Sequence, residues 1–374
     1  MRSRSASLVF ALAAFLAACQ DGQSLNPAAS APDAPSSAIA RSGWIYGPDD
    51  RPVEVKFAVR DGRGLLEGDI DLGPVERIAT TREQLLRGAE AGGPRRGLVT
   101  TGPRWLSHKV PYVINPAVSN QQRIHDAIAH IEGTTGKIRF VPRTTEADYV
   151  SIIQGTSAGD CRSHVGRIGG AQPLWLGDFC STPNTIHELT HALGLWHEQS
   201  RCDRDTYVEI LWANVEPGQE HNFNKYCSGV TQVREYSEYS IMHYPKWAWG
   251  VGGQNTIRSK RGLDDVMGNA TALSGTDQAA IEYLYPTPAL RILGPTRPTA
   301  GTTQRWDVVM DNGTPATISW YRDRVYVGSG SYYYGTVPAN TSTMELLVEA
   351  FDPDGYRATQ VRYVYPCPVG QTCS

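Results

Sequence analysis

Residues 187–198 read HELTHALGLWHE, with histidines at 187, 191 and 197, a glutamate at 188 and a glycine at 194. A helix advances about 100° per residue, so residues four apart share a face. His187 and His191 therefore aim two imidazoles at one point from adjacent turns, and Glu188 stands beside them. Gly194 suits the left-handed conformation that ends a helix and reverses the chain. That reversal returns His197 as a third nitrogen donor. Three neutral imidazoles with a fourth position open form the donor set of a catalytic zinc ion, not of a structural one. Beside such an ion, a glutamate at 188 serves as general base toward a water whose pKa the metal lowers. A bare H-E-x-x-H recurs by chance, but here Gly194, His197 and Glu198 extend the pattern in register.

The string H-E-x-x-H-x-x-G-x-x-H is the metzincin signature, and its continuation HEQSRCDRD (197–205) resembles the astacin branch. Further along, SIMHY (240–244) resembles the astacin Met-turn, in the order that family requires. The resemblance implies a single catalytic zinc ion on His187, His191 and His197, with Glu188 as general base. It implies that Met242 is a hydrophobic floor under the ligands. Tyr244 would ligate zinc at rest and steady the oxyanion during turnover. RWLSHKVPYVI (104–114) is similar to the family's first strand, and LSGTDQAAIEYLY (273–285) to its closing helix. CRSHVGRIGGAQPLWLGDFC (161–180) resembles the segment that binds an extended peptide, which places substrate pairing near Gly169–Trp175. The implied fold class is α+β, a mixed sheet with an active-site helix. One departure stands out. The family commonly ties the two ends of this domain by a disulfide, and no cysteine lies near Tyr285.

The resemblance continues upstream. LLEGDIDL (65–72) is similar to the astacin propeptide, in which the aspartate of an E-G-D motif fills the open zinc position. Asp69 is that residue, and a carboxylate there displaces the nucleophilic water. No cysteine occurs in residues 20–160, so a cysteine switch is excluded. Arg95-Arg96, within GGPRRG (92–97), is a candidate activation site. In the family the freed N-terminus is buried against the glutamate after the third histidine, here Glu198.

At the N-terminus, Arg2 and Arg4 precede LVFALAAFLAA (8–18) and Cys19. This is a signal peptide whose apolar core is too short for a membrane anchor. LAAC (16–19) resembles a bacterial lipobox, with Cys19 the lipidated residue. Gln20 follows where an inner-membrane retention signal has aspartate. An outer-membrane or cell-surface lipoprotein is expected. Residues 20–43 are rich in Ala, Ser and Pro and read as a flexible tether. The expected layout is signal peptide 1–19, tether 20–43, propeptide 44–97, catalytic domain 98–287 and a C-terminal β-sandwich 288–374.

The sandwich is read from short alternating runs, TQRWDVVM, ATISWYRD, YVGSGSYYYG, MELLVEAFD and ATQVRYVYP, separated by turn signals. Trp320 sits where an immunoglobulin-like domain keeps its core tryptophan. Tyr332, Tyr333 and Tyr334 read as an alternating strand with one ring buried. His125 and His130 read as structural or exposed, His164 as a loop residue and His243 as packing. Beyond Cys19, six cysteines in an exported chain point to disulfides, and six allow fifteen pairings. The family resemblance favours Cys161–Cys180. Proximity suggests Cys202–Cys227 and Cys367–Cys373.

The 374 residues carry 35 Lys and Arg against 38 Asp and Glu, a net charge of −3 with no long basic run. Nothing here favours nucleic acid. The expected partners are a protein or peptide substrate and, through lipid, a membrane. The protein itself is expected as a monomer. Two other functions remain open: a surface adhesin working through the C-terminal domain, and zinc hydrolysis of peptidoglycan cross-links.

Overall fold

The computed structural model describes residues 40–46, 52–90, 104–105, 108–227, 231–286, 290–310, 317–340, 342–351, 357–369 and 371. The signal peptide, Cys19, Arg95-Arg96 and Cys373 lie outside the described residues, as does nearly all of the tether.

The N-terminal unit is a four-stranded antiparallel meander, β1 (Arg41–Tyr46), β2 (Pro52–Arg60), β3 (Arg63–Leu66) and β4 (Ile70–Pro74), followed by α1 (Arg82–Glu90). The run VEVKFAVR forms most of β2 because its alternation buries Val55 and Phe57 on one face. β1 begins at Arg41, inside the stretch expected as tether, since Gly43 to Tyr46 pair with Val55 to Pro52. The small core of this unit, Ile45, Val55, Phe57, Leu66 and Ile70, is completed by Val165, Trp196 and Tyr226 from the next domain.

That domain carries a five-stranded mixed sheet. Its strands are β5 (Lys109–Ile114), β6 (Arg139–Pro142), β7 (Tyr149–Gln154), β8 (Cys161–Arg162) and β9 (Ala171–Leu176), in spatial order β6-β5-β7-β9-β8. β6, β5, β7 and β9 run parallel, and β8 is antiparallel to β9. Two helices, α2 (Gln122–Thr135) and α3 (Thr182–Leu193), share one core with the sheet. The 3.6-residue period of α2 buries Ile124, Ala127, Ile128 and Ile131 there. A second lobe holds the ribbon β10 (Val208–Ile210) and β11 (Ile257–Ser259) around its own core, which includes Phe223 and Tyr244. The closing helix α4 (Gly275–Leu284) returns to the first core.

The missing terminal disulfide is replaced by side chains. Tyr285 is fully buried, and its hydroxyl donates to the Leu193 carbonyl at 2.8 Å. Trp105 Nε1 donates to the Ala192 carbonyl at 2.8 Å. Both ends of the domain thus meet at the C-terminal end of α3.

Past residue 290, strands β12 (Leu290–Leu293), β13 (Thr303–Met310), β14 (Thr317–Arg322), β15 (Val325–Ser329), β16 (Tyr332–Thr336), β17 (Met344–Phe351) and β18 (Arg357–Val364) form two sheets over one core. Their orders are β12-β13-β16 and β15-β14-β17-β18. The fold class is thus α+β with a strand-rich C-terminal region. Trp320 is fully buried, as is a second tryptophan, Trp306. Tyr333 stacks on both, with ring centroids 5.9 and 6.0 Å away, while Tyr332 and Tyr334 face outward. The run YVGSGSYYYG does not form a single strand. It splits between β15 and β16, which belong to different sheets.

Candidate metal centre and catalytic site

Helix α3 starts on Ser181, whose side chain accepts from Asn184 N while the Asn184 side chain accepts from Ser181 N. This reciprocal cap, with Pro183 in the first turn, sets the helix start. The helix ends on Gly194, left-handed at φ +116°. The chain then turns back, and His197 meets the two helical histidines. The Nε2 of His197 lies 3.3 Å from that of His187 and 3.3 Å from that of His191. Two ligands about 2.0–2.1 Å from one tetrahedral zinc ion stand roughly 3.3–3.4 Å apart, so these separations suit zinc.

The proton positions agree. His187 Nδ1 faces the Ile241 carbonyl at 2.8 Å, and His191 Nδ1 faces the Leu195 carbonyl at 2.8 Å. A carbonyl only accepts, so each Nδ1 carries the proton and each Nε2 presents a lone pair. His197 Nδ1 faces the Glu67 carboxylate at 2.6 Å, with the same consequence. Three buried lone pairs aimed at one point repel one another unless a cation lies between them.

Asp69 closes the fourth side. Its Oδ2 is 3.2 Å from His197 Nε2 and 3.4 Å from His187 Nε2, and its Oδ1 is 3.9 Å from His191 Nε2. Among the described residues, Asp69, His187, His191 and His197 are the group whose ligand atoms lie within 4.8 Å of one another. Asp69 arrives on the turn between β3 and β4. Ser163 N donates to the Asp69 carbonyl at 3.0 Å, and Asp71 N donates to the Ser163 carbonyl at 2.8 Å. The N-terminal segment therefore lies along the sheet edge. That edge is β8 and Ser163, not the expected Gly169–Trp175, because β9 lies inside the sheet between β7 and β8.

Glu188 is buried beside the histidines, and its Oε2 has no hydrogen-bond partner. Burial first, then the charges of Asp69 and Asp160, push its carboxyl well above the ordinary range. Burial lowers His197, but Asp69 and Glu67 outweigh it and lift the metal-free ring to about 10, so a cation bound at Nε2 displaces a proton there. Burial, then the neighbouring rings of His187 and His197, lowers His191.

Met242 is buried in the core shared with α3, and its carbonyl accepts from Glu198 N at 2.9 Å. Tyr244 lies over His197, ring centroids 4.9 Å apart, and its hydroxyl donates to the Glu67 carbonyl. His243 packs as expected, between the Tyr236 hydroxyl and the Tyr244 carbonyl. His130 is structural, accepting from Leu273 N. Glu198 is buried, accepting from Ser237 N at 2.9 Å and Arg201 at 3.2 Å. Burial raises it to about 8 against the pull of Arg201. Cys161–Cys180 and Cys202–Cys227 are bonded. Cys367 is also in a disulfide, with its partner outside the described residues.

Two residues at this site escaped sequence reasoning. Glu67 stood in the quoted E-G-D string without a role. Asp277, buried on α4, accepts from Ser240 Oγ at 2.5 Å and Ile241 N at 3.0 Å, tying the closing helix to the turn that bears Met242. Its place three residues after Ser274 was a capping-box signal, and the structure has that box.

Comparison with known proteins points the same way. The model of the astacin peptidase family matches residues 98–286. Meprin A subunit beta of Mus musculus is 36% identical over 238 residues, 61% of this chain but 30% of its own length. Zinc metalloproteinase nas-6 of Caenorhabditis elegans is 34% identical over 256 residues, 67% of this chain and 71% of its own. The matched part thus spans less than a third of the meprin subunit. Among solved structures, high choriolytic enzyme 1, a hatching enzyme zinc-protease of the medaka Oryzias latipes, is 34% identical. That match covers 49% of this chain and 92% of the enzyme, with a TM-score of 0.44. With its zinc-ligand signature, its Met-turn and half its length matched, the chain belongs to the astacin family of zinc-dependent metallopeptidases.

Proposed function

We propose that this protein is a zinc endopeptidase made in latent form, exported and anchored by lipid on Cys19. The observation that carries the reading is the set of three converging Nε2 atoms with Asp69 Oδ2 against two of them. His187, His191 and His197 would hold zinc, which when bound would supply Lewis acidity toward the scissile carbonyl and lower the pKa of the attacking water. Glu188 takes the proton of that water and passes it to the leaving amine. Tyr244, freed from the Glu67 carbonyl, donates its hydroxyl to the oxyanion. Met242 supports the ligands from below. An extended substrate pairs with the backbone of 161–163, where the N-terminal segment now lies.

In this reading residues 41–97 are the prosegment and Asp69 is its blocking ligand. Cleavage near Arg95-Arg96 exposes a new amino terminus, which pairs with the buried Glu198 carboxylate. A cavity of about 110 Å³ lined by Glu198, Arg201, Gln232 and Asp277 offers room for it. The strand-rich unit after residue 290 is read as an immunoglobulin-like module, and the protein as a monomer.

Purified protein assayed on casein with and without a chelator, with N-terminal sequencing of the active species, tests this. The expected result is chelator-sensitive hydrolysis by a species that starts near Gly97, and activity in uncleaved Asp69→Asn. An active wild-type species still carrying residues 41–96 sinks the latency. Chelator-insensitive inactivity favours an adhesin, and digestion of cell walls in place of casein redirects the substrate.

A further inference from the structure

The turn that delivers Asp69 contains a second carboxylate with its own contacts. Glu67 is almost wholly buried and sits at φ +51°, a left-handed conformation that disfavours any residue with a side chain. Gly68 follows at φ +88°. These two left-handed residues point both carboxylates at one ring. Asp69 Oδ2 faces His197 Nε2 at 3.2 Å, and Glu67 Oε2 faces His197 Nδ1 at 2.6 Å. The other Glu67 oxygen accepts from Ser200 Oγ at 2.8 Å, and the Tyr226 hydroxyl sits beside the same carboxylate. The residue thus keeps a strained backbone and a buried charge, and both are held by contacts to the catalytic domain.

We propose that Glu67 is a positioning residue for the metal site: it supplies the outer hydrogen bond that orients His197, so the prosegment holds the metal as well as blocking it. His187 and His191 take their outer acceptors, the Ile241 and Leu195 carbonyls, from the catalytic domain itself. His197 takes its acceptor from the N-terminal segment, 130 residues away in sequence. When that segment leaves, the acceptor leaves with it. The latent form therefore binds zinc more tightly than the processed form, and metal loading is favoured before activation. This rests on the reading of residues 41–97 as a removable prosegment.

The test is zinc affinity of the full-length chain, measured by competition with a chromogenic chelator, for wild type, Glu67→Gly, Glu67→Gln and Asp69→Asn. Glycine suits the left-handed turn, so Glu67→Gly removes the carboxylate without adding backbone strain. Loss of an outer-shell partner typically weakens metal binding by about 10–100-fold. Glu67→Gly is expected to fall in that range, Glu67→Gln to recover most of the loss, and processed wild type, which loses Asp69 as well, to bind zinc no more tightly than Glu67→Gly. Equal zinc affinity in wild type and Glu67→Gly overturns the proposal, as does a Glu67→Gln variant no better than Glu67→Gly. The outcome with Asp69→Asn is separate. If it activates the uncleaved chain, the latency reading stands whatever Glu67 does; if it stays inactive while Glu67→Gly loses zinc, that reading fails alone.

Discussion

Glu188 illustrates how one buried atom narrows a site's chemistry. Its unpartnered Oε2 lies among groups that raise its proton affinity, next to a donor set complete without it. Glu188→Ala is expected to keep stoichiometric zinc by metal analysis while losing at least about 100-fold in casein hydrolysis by the processed enzyme, the usual scale of general acid–base catalysis. Glu198 makes a different prediction. Its carboxyl titrates near 8 in the folded chain and near its ordinary 4.5 when unfolded. Between those values the folded state binds the proton more tightly, so this group's contribution to stability falls as pH rises. Thermal unfolding of the uncleaved protein between pH 5 and 8 checks this: Glu198→Gln should lose less stability than wild type across that window. An equal decline in both proteins would contradict it. Under the proposed latency, processing should flatten the wild-type curve as well, since an ammonium beside Glu198 lowers its pKa.

At the scale of elements, the active-site helix was readable because its signals are local. Its start is a capping box within four residues, its ligands share one face, and its end is a left-handed glycine. The closing helix was readable as a helix, but not for what it holds. Asp277 reaches across to Ser240 and Ile241, and Ile241 in turn offers its carbonyl to His187 Nδ1. Asp277→Ala strands two buried donors and is expected to cost about 2–4 kcal/mol in urea unfolding, the cost of lost bonds to a charged acceptor. Zinc affinity should fall in the same variant, because the His187 acceptor loosens. The edge strand was misplaced for a related reason. β9 has the longer apolar run, and a sequence does not reveal that the two-residue β8 pairs with its end at Trp175 and Leu176.

Among the described residues, two cores lie in the catalytic domain and one in the C-terminal unit, while the N-terminal core is completed by side chains of the catalytic domain. The C-terminal core is built around Trp306, Trp320 and Tyr333. Trp320→Ala is expected to remove about 3–5 kcal/mol from that unit. Calorimetry should show one transition shifted while zinc affinity holds; loss of zinc would mean the units are coupled. The sequence by itself determined the metal ligands, the helix that carries two of them, the turn that returns the third, and the alternation of the C-terminal strands. All of these follow from periodicity and backbone preference over a dozen residues or fewer. Only the tertiary structure decided which strand lies at the edge, that Glu67 grips His197, and that Asp277 anchors the turn beneath the site. Those contacts join residues far apart in sequence, and their partners are chosen by packing, which leaves no local pattern to read.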